Sequence, residues 1–167
     1  GGKVSLLNDG RLVIHDMRGC RKSPGGVDAF MKATAEADGL RVAVKAWEDP
    51  GQAGKVDTAH MGRLFTGYSF AIVKASEDKE TYAGPWSSLT EQGRVLVEEG
   101  DWNDEFFAEV EAFPSKGTKK DQVDCISLAA HCLISGVVEY AYSPVAQTDE
   151  SRSPARIQRG GRGAMNY

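Results

Sequence analysis

The sequence has little of what marks membrane, secreted or zinc-binding proteins. It contains only three cysteines, Cys20, Cys125 and Cys132, and their spacing matches no metal-ligand motif. No stretch approaches the ~20 consecutive apolar residues of a membrane span, and no signal-peptide pattern opens the chain. These absences argue against a membrane span, a disulfide framework and a zinc module. They predict reduced thiols and a cytoplasmic protein.

The chain also lacks the excess of positive charge that is typical of simple nucleic-acid binders. Its formal net charge is −4, although four arginines lie between residues 152 and 162. An acidic domain still binds DNA where bound cations and local basic patches neutralise the phosphates. Composition therefore argues only weakly against nucleic acid, and the length and the 41% hydrophobic content fit one globular domain.

The order of elements predicts an α/β fold, a mixed sheet with helices on both faces. Asn8-Asp9-Gly10 is a hairpin turn signal between two strand-like runs. Helices and strands then alternate, with an early break expected in one helix at Gly84-Pro85. The predicted strands are 3–7, 11–17, 40–47, 68–74 and 94–97. The predicted helices are 27–37, 52–65, 82–92, a helix capped by Asp101 or Asn103 that runs to about 112, and 122 to about 140. The folded domain is predicted to cover residues 1–142, followed by a flexible Ser/Pro/Arg/Gly-rich tail at 143–167.

Two acidic clusters are the candidate chemical groups. Glu48-Asp49 ends an apolar strand, and Asp121 with Asp124 opens a long apolar helix. Ligands bind beyond the carboxyl ends of strands in α/β sheets, and carboxylates there suit hard divalent cations. A turn explains the first cluster equally well, and helix capping explains the second. The apolar helix favours the metal site, because burial against the sheet would hold its first turn near the strand ends.

The histidines offer no nucleophilic site by sequence. His15, His60 and His131 do not neighbour a Cys, Asp or Ser in a catalytic spacing. His131 falls inside the apolar helix and is predicted to pack there rather than to bind a metal.

The ordered series of short motifs resembles the C-terminal nuclease domain of large terminase subunits, the DNA-packaging motors of tailed bacteriophages and prophages. The resemblance extends over about residues 11–138, and it rests on the segments 48–55, 78–81, 93–95, 100–103, 113–114 and 121–124. It implies a ribonuclease H-like fold and an endonuclease that cuts concatemeric double-stranded DNA with two Mg²⁺ or Mn²⁺ ions. It also implies the portal protein, the small terminase subunit and an ATPase domain of the same polypeptide as partners, in the cytoplasm of the bacterial host.

The resemblance assigns roles to individual residues. Glu48, with Asp49 close behind, is similar to the strand-end acid of the family, and Asp121 is similar to its C-terminal aspartate. Glu48 and Asp121 are therefore the expected catalytic residues, and the expected metal ligands are Glu48, Asp49, Asp121 and Asp124. Lys79 matches a lysine near the phosphate backbone, and the expected DNA-binding set is Lys55, Lys79, Lys119 and Lys120.

The chain departs from the family pattern in three places. Tyr82 stands where the family has an arginine, and Lys120-Asp121 stands where it often has two aspartates. The first catalytic aspartate of the family precedes the hairpin, and Asp16 is a poor substitute for it. The alternatives are therefore a DNA-binding or portal-docking domain that has lost cleavage, or another ribonuclease H-like nuclease such as a junction resolvase.

Overall fold

The structure is a computed structural model that describes residues 1–48, 52–115, 117 and 119–136, with the side chains of residues 52–57 outside that description. Asp49, the side chain of Lys55 and the predicted tail at 143–167 therefore lie outside the described residues. The described strands are β1 (Gly2–Leu6), β2 (Leu12–Met17), β3 (Val44–Glu48), β4 (Phe70–Lys74) and β5 (Val95–Val97). The described helices are α1 (Pro24–Asp38), α2 (Gln52–Leu64), α3 (Lys79–Glu91), α4 (Asn103–Ala112) and α5 (Asp121–Ser135).

The predicted hairpin forms two of the three strands of the first sheet, whose strand order is β1-β2-β5. β1 and β2 are antiparallel, and β5 joins β2 in parallel. Gly10 closes the turn with a positive φ of 79°, a backbone region that glycine enters at little cost. The amide of Leu7 donates to the carbonyl of Arg11 at 2.8 Å, which begins the ladder.

A second sheet consists of β3 and β4, paired in parallel from Val44–Phe70 to Glu48–Lys74. The mixed α/β class is confirmed. However, the described strands form two hydrogen-bonded sheets rather than one, because β1 and β3 each pair along a single edge.

Helix α5 packs against the first sheet and forms most of the main core. Val123, Ile126 and Ala130 of α5 are fully buried, as is Leu12 of β2. The buried indole N–H of Trp86 in α3 donates to Ser127 Oγ of α5 at 3.0 Å, so these two buried polar side-chain groups are hydrogen-bonded to each other. A smaller cluster around Ala35, Phe65 and Phe70 joins α1, α2 and the second sheet.

The predicted break in α3 and the predicted end of α5 are wrong. α3 runs through Gly84-Pro85 without a break, because its face with Tyr82, Ala83 and Trp86 is buried and compensates for the hydrogen bond that Pro85 removes. α5 ends at Ser135 rather than near 140, since Gly136 adopts the left-handed conformation that terminates helices. No helix in the described part of the chain is long and apolar enough to span a membrane.

Candidate functional site

The first turn of α5 carries the second acidic cluster, and a residue of α4 fixes its position. Glu109 is only 7% exposed, and its Oε1 accepts hydrogen bonds from the amides of Gln122 (2.6 Å) and Val123 (3.0 Å). A carboxylate on the free N–H groups of a helix start complements the helix dipole. Asp121, the first residue of α5, is exposed, and Asp124 follows one turn later.

Sequence reasoning missed Glu109. The available signal was its position three residues after Phe106, on a helix face that is otherwise buried. An acidic residue at such a position requires a partner, and that partner is the start of the next helix.

Trp47 connects the end of β3 to the first turn of α5. Its indole N–H donates to the backbone carbonyl of Asp124 at 3.3 Å, and the two residues are 77 positions apart. Glu48 directly follows Trp47 and is the last residue of β3. The end of β3 and the first turn of α5 therefore meet, and the convergence of the Glu48 carboxylate with those of Asp121 and Asp124 stays a prediction.

Lys79 belongs to the same site. It is the first residue of α3, and its ammonium group forms a salt bridge with the carboxylate of Asp124. Asp78 begins this helix by accepting a hydrogen bond from the amide of Thr81 at 2.7 Å, and that bond lowers the pKa of Asp78. The predicted phosphate-binding lysine and the predicted metal ligand are thus direct partners.

An aromatic cluster supports this end of the molecule. The ring of Tyr82 lies 4.7 Å from that of Trp47 and 5.0 Å from that of His131. The Tyr82 hydroxyl accepts a hydrogen bond from the amide of Ser76 at 2.9 Å. Tyr82 stands where the family has an arginine, and its buried side chain packs against Trp47. His131 packs against Tyr82, as predicted.

The other predicted DNA-binding lysines have partners of their own. Lys119 forms an exposed ion pair with Glu105 at 3.4 Å. Lys120 donates to the carbonyl of Pro114 at 3.3 Å and lies over the ring of Phe113. Both remain near the start of α5, and their contribution to DNA binding stays a prediction.

The structure also brings together residues that sequence spacing did not relate. His15 Nε2 is 2.7 Å from Ser5 Oγ, and His15 Nδ1 is 2.6 Å from Glu98 Oε1. The pairing of β1 with β2 brings His15 and Ser5 together, although they are ten residues apart in the sequence. Ser5 lies on a regular strand, so this serine lacks the exposed strand-to-helix turn of hydrolase nucleophiles.

The described carboxylates have the right chemistry for a divalent cation, but too few of them lie close together to bind one on their own. Oxygen ligands are those that Mg²⁺ and Mn²⁺ prefer. Among the described residues, no three His, Cys, Asp or Glu side chains lie close enough to share an ion. Asp49, the fourth predicted ligand, is outside the described residues.

Comparison with known families agrees with this architecture. The model of the terminase RNaseH-like domain matches residues 7–132. The chain belongs to this family, and it is a nuclease-type domain of a terminase. A search of curated proteins and a search of solved structures each found no match.

Proposed function

We propose that this domain is the metal-dependent endonuclease of a DNA-packaging terminase and that it cuts concatemeric double-stranded DNA. The observation that carries the proposal is the contact between Trp47 and Asp124, which joins the acidic end of β3 to the acidic start of α5. Carboxylates from two such elements form a typical site for cations that act on phosphodiesters.

In this proposal Glu48, Asp49, Asp121 and Asp124 would hold Mg²⁺ or Mn²⁺, with no more than two of the described carboxylates on any one ion. Ions held there would supply the activation of water and the stabilisation of the leaving oxygen of the phosphodiester. Lys79 attracts the phosphate backbone at the edge of the site. The portal protein, the small terminase subunit and a linked ATPase domain are the proposed partners, and the cytoplasm of the bacterial host is the proposed location.

The test combines cation binding with cleavage. We expect Mn²⁺ to bind in a calorimetric titration, and we expect supercoiled plasmid to be nicked in Mg²⁺ or Mn²⁺ but not in EDTA. Cation binding without nicking would instead support the DNA-holding or portal-docking alternative. Absence of both would contradict the metal site altogether.

Replacing Lys79 with methionine is expected to tighten Mn²⁺ binding. The substitution removes the ammonium group that competes for the carboxylate of Asp124. The Lys79 side chain is 58% exposed, so we expect a gain of only about two- to fivefold, as for an exposed ion pair. DNA binding in a filter assay is expected to weaken at the same time.

Lys119→Met is the matched control for this substitution, because Lys119 is a similarly exposed lysine that pairs with Glu105. It should leave the Mn²⁺ affinity unchanged. Equal Mn²⁺ affinities of the Lys79 variant and the parent protein would show that Asp124 does not bind the ion.

A further inference from the structure

A cleft lies between α3 and the C-terminal end of α4. Its volume is about 340 Å³, which falls at the lower end of the range for ligand sites. One side is formed by α3, from Glu80 to Glu91, and the other side carries Val110 of α4 and Phe113, which directly follows that helix. Eleven positions along a helix correspond to about 16 Å, so the cleft is long enough for a short stretch of extended peptide.

The α3 side of the cleft has short side chains between two glutamates. Its residues recur at helical spacing along one face, and they are Glu80, Ala83, Gly84, Ser87, Thr90 and Glu91. A Cβ placed on Gly84 would lie more than 4 Å from any atom outside its own stretch of helix. The middle of the cleft is therefore open, and the backbone of a bound peptide has room to approach α3 there.

Carboxylates lie at both ends of this face. Glu80 and Glu91 are exposed, and neither takes part in an ion pair with any other residue that the structure describes. Glu111 adds an exposed carboxylate on α4, next to Val110. Complementary charge determines which partners a surface accepts, so the cleft suits a segment with cations on either side of small apolar residues.

Lys120 determines where the cations of such a segment would lie. Its ammonium group is 5.4 Å from the centroid of the Phe113 ring and donates to the carbonyl of Pro114 at 3.3 Å. A second cation at Phe113 would meet this like charge. The favourable positions for positive charge are therefore the α3 carboxylates, and the Val110–Phe113 side is left for apolar contacts.

We propose that the cleft binds the arginine-rich segment at residues 152–162 of the same chain. This segment has no acidic residue and carries four arginines, Arg152, Arg156, Arg159 and Arg162. Two arginines four positions apart in extended chain are about 13 Å apart, and their long side chains extend that reach to the distance between Glu80 and Glu91. Ala155 and Ile157 supply apolar side chains for Val110 and Phe113.

The length of chain between α5 and this segment favours an intramolecular contact. Fifteen residues, 137–151, separate Gly136 from Arg152, and they can span up to about 50 Å. Helix α5 itself is only about 22 Å long, and it contacts α3 through Ser127 and Trp86. A short linker raises the effective concentration to the order of millimolar, which compensates for the weakness of exposed ion pairs.

Photo-crosslinking in the full chain tests the contact directly. The photoreactive residue p-benzoylphenylalanine replaces Ser87, which lines the cleft, or Ser88, the exposed neighbour that does not. We expect position 87 to cross-link to peptides from residues 152–162, identified by mass spectrometry after digestion. Position 88 should give no such product, because one residue further along a helix the side chain points about 100° away.

Glutamine variants test the charges. The cross-link from position 87 should be lost when Glu80→Gln and Glu91→Gln are combined. It should also decrease at high salt, because exposed charges are then screened. Glu36→Gln with Glu77→Gln is the matched control, since both residues are exposed glutamates that do not line the cleft, and it should leave the cross-link unchanged.

Amide chemical shifts give a readout without a bulky label. Replacing the four arginines of the segment with glutamine should shift the amides of Ser87 and Val110, and it should leave those of Ser5 and Val13 in the first sheet unchanged. A synthetic peptide of residues 150–164 added to this variant should restore the parental shifts. The same peptide with glutamine in place of arginine should not.

The outcomes separate the possible occupants. Equal cross-linking from positions 87 and 88, a cross-link that survives loss of both glutamates, or parental shifts in the glutamine variant would each overturn the proposal. Cross-links found only between differently isotope-labelled copies would also overturn it, since the segment of a second copy would then fill the cleft. No readout uses a cation or nuclease activity, so the proposal can fail while the proposed function stands.

Discussion

Replacing Glu48 with glutamine is expected to reduce metal-dependent plasmid nicking by at least about a hundredfold, and Asp121→Asn should do the same. Each substitution keeps the size of the side chain and removes one negative charge from the site. Loss of a single group that stabilises the transition state typically costs ~10²–10³ in rate. The measurement is the initial rate of plasmid nicking in Mn²⁺ buffer, together with Mn²⁺ affinity by titration.

Matched controls are available for both substitutions. Asp104 is an exposed aspartate in the first turn of α4, as Asp121 is in α5, and Glu99 is an exposed glutamate that follows β5. Asp104→Asn and Glu99→Gln should nick at the parental rate. Parental activity of the Asp121 variant would remove Asp121 from the catalytic set, and unchanged activity of the Glu48 variant would favour Asp49 as the strand-end acid.

Replacing Glu109 with alanine is expected to lower the free energy of unfolding by about 2–4 kcal/mol. The Glu109 carboxylate accepts two backbone hydrogen bonds at the start of α5 in a buried position. Hydrogen bonds to charged groups contribute about 1.5–3 kcal/mol, and a buried donor left without a partner adds a desolvation cost. Urea denaturation followed by circular dichroism measures the change.

Two further variants make this prediction specific. Glu109→Gln keeps an acceptor oxygen but removes the charge, so its loss of stability should be smaller than that of the alanine variant. Glu111→Ala changes an exposed glutamate on the same helix, and it should alter stability by less than about 0.5 kcal/mol. If the alanine variants of Glu109 and Glu111 were equally stable, Glu109 would not hold the start of α5.

Glu109 also fixes the position of the proposed metal ligands on α5. Asp121 and Asp124 take their positions from the start of α5, which Glu109 holds against α4. We therefore expect Glu109→Ala to weaken Mn²⁺ binding even at temperatures where the protein remains folded.

Features that depend on short stretches of chain were predictable from the sequence. Asn8-Asp9-Gly10 determined the hairpin, because Gly10 enters the positive-φ region that this turn requires. The apolar spacing after Asp121 predicted α5 and its buried face, and the motif series predicted the family that the match over residues 7–132 confirms. The predicted break in α3 was wrong, because local rules for Gly84-Pro85 do not include the burial of Tyr82 and Trp86.

The arrangement of the candidate site was decided only in the tertiary structure. The indole of Trp47 on Asp124, the ammonium of Lys79 on the same aspartate, and the carboxylate of Glu109 under α5 each join residues at least 13 positions apart. The division of the described strands into two sheets likewise depends on which strand edges pair. Local sequence sets backbone preferences and the apolar face of each element, whereas these contacts depend on how the elements pack, and no short segment specifies that.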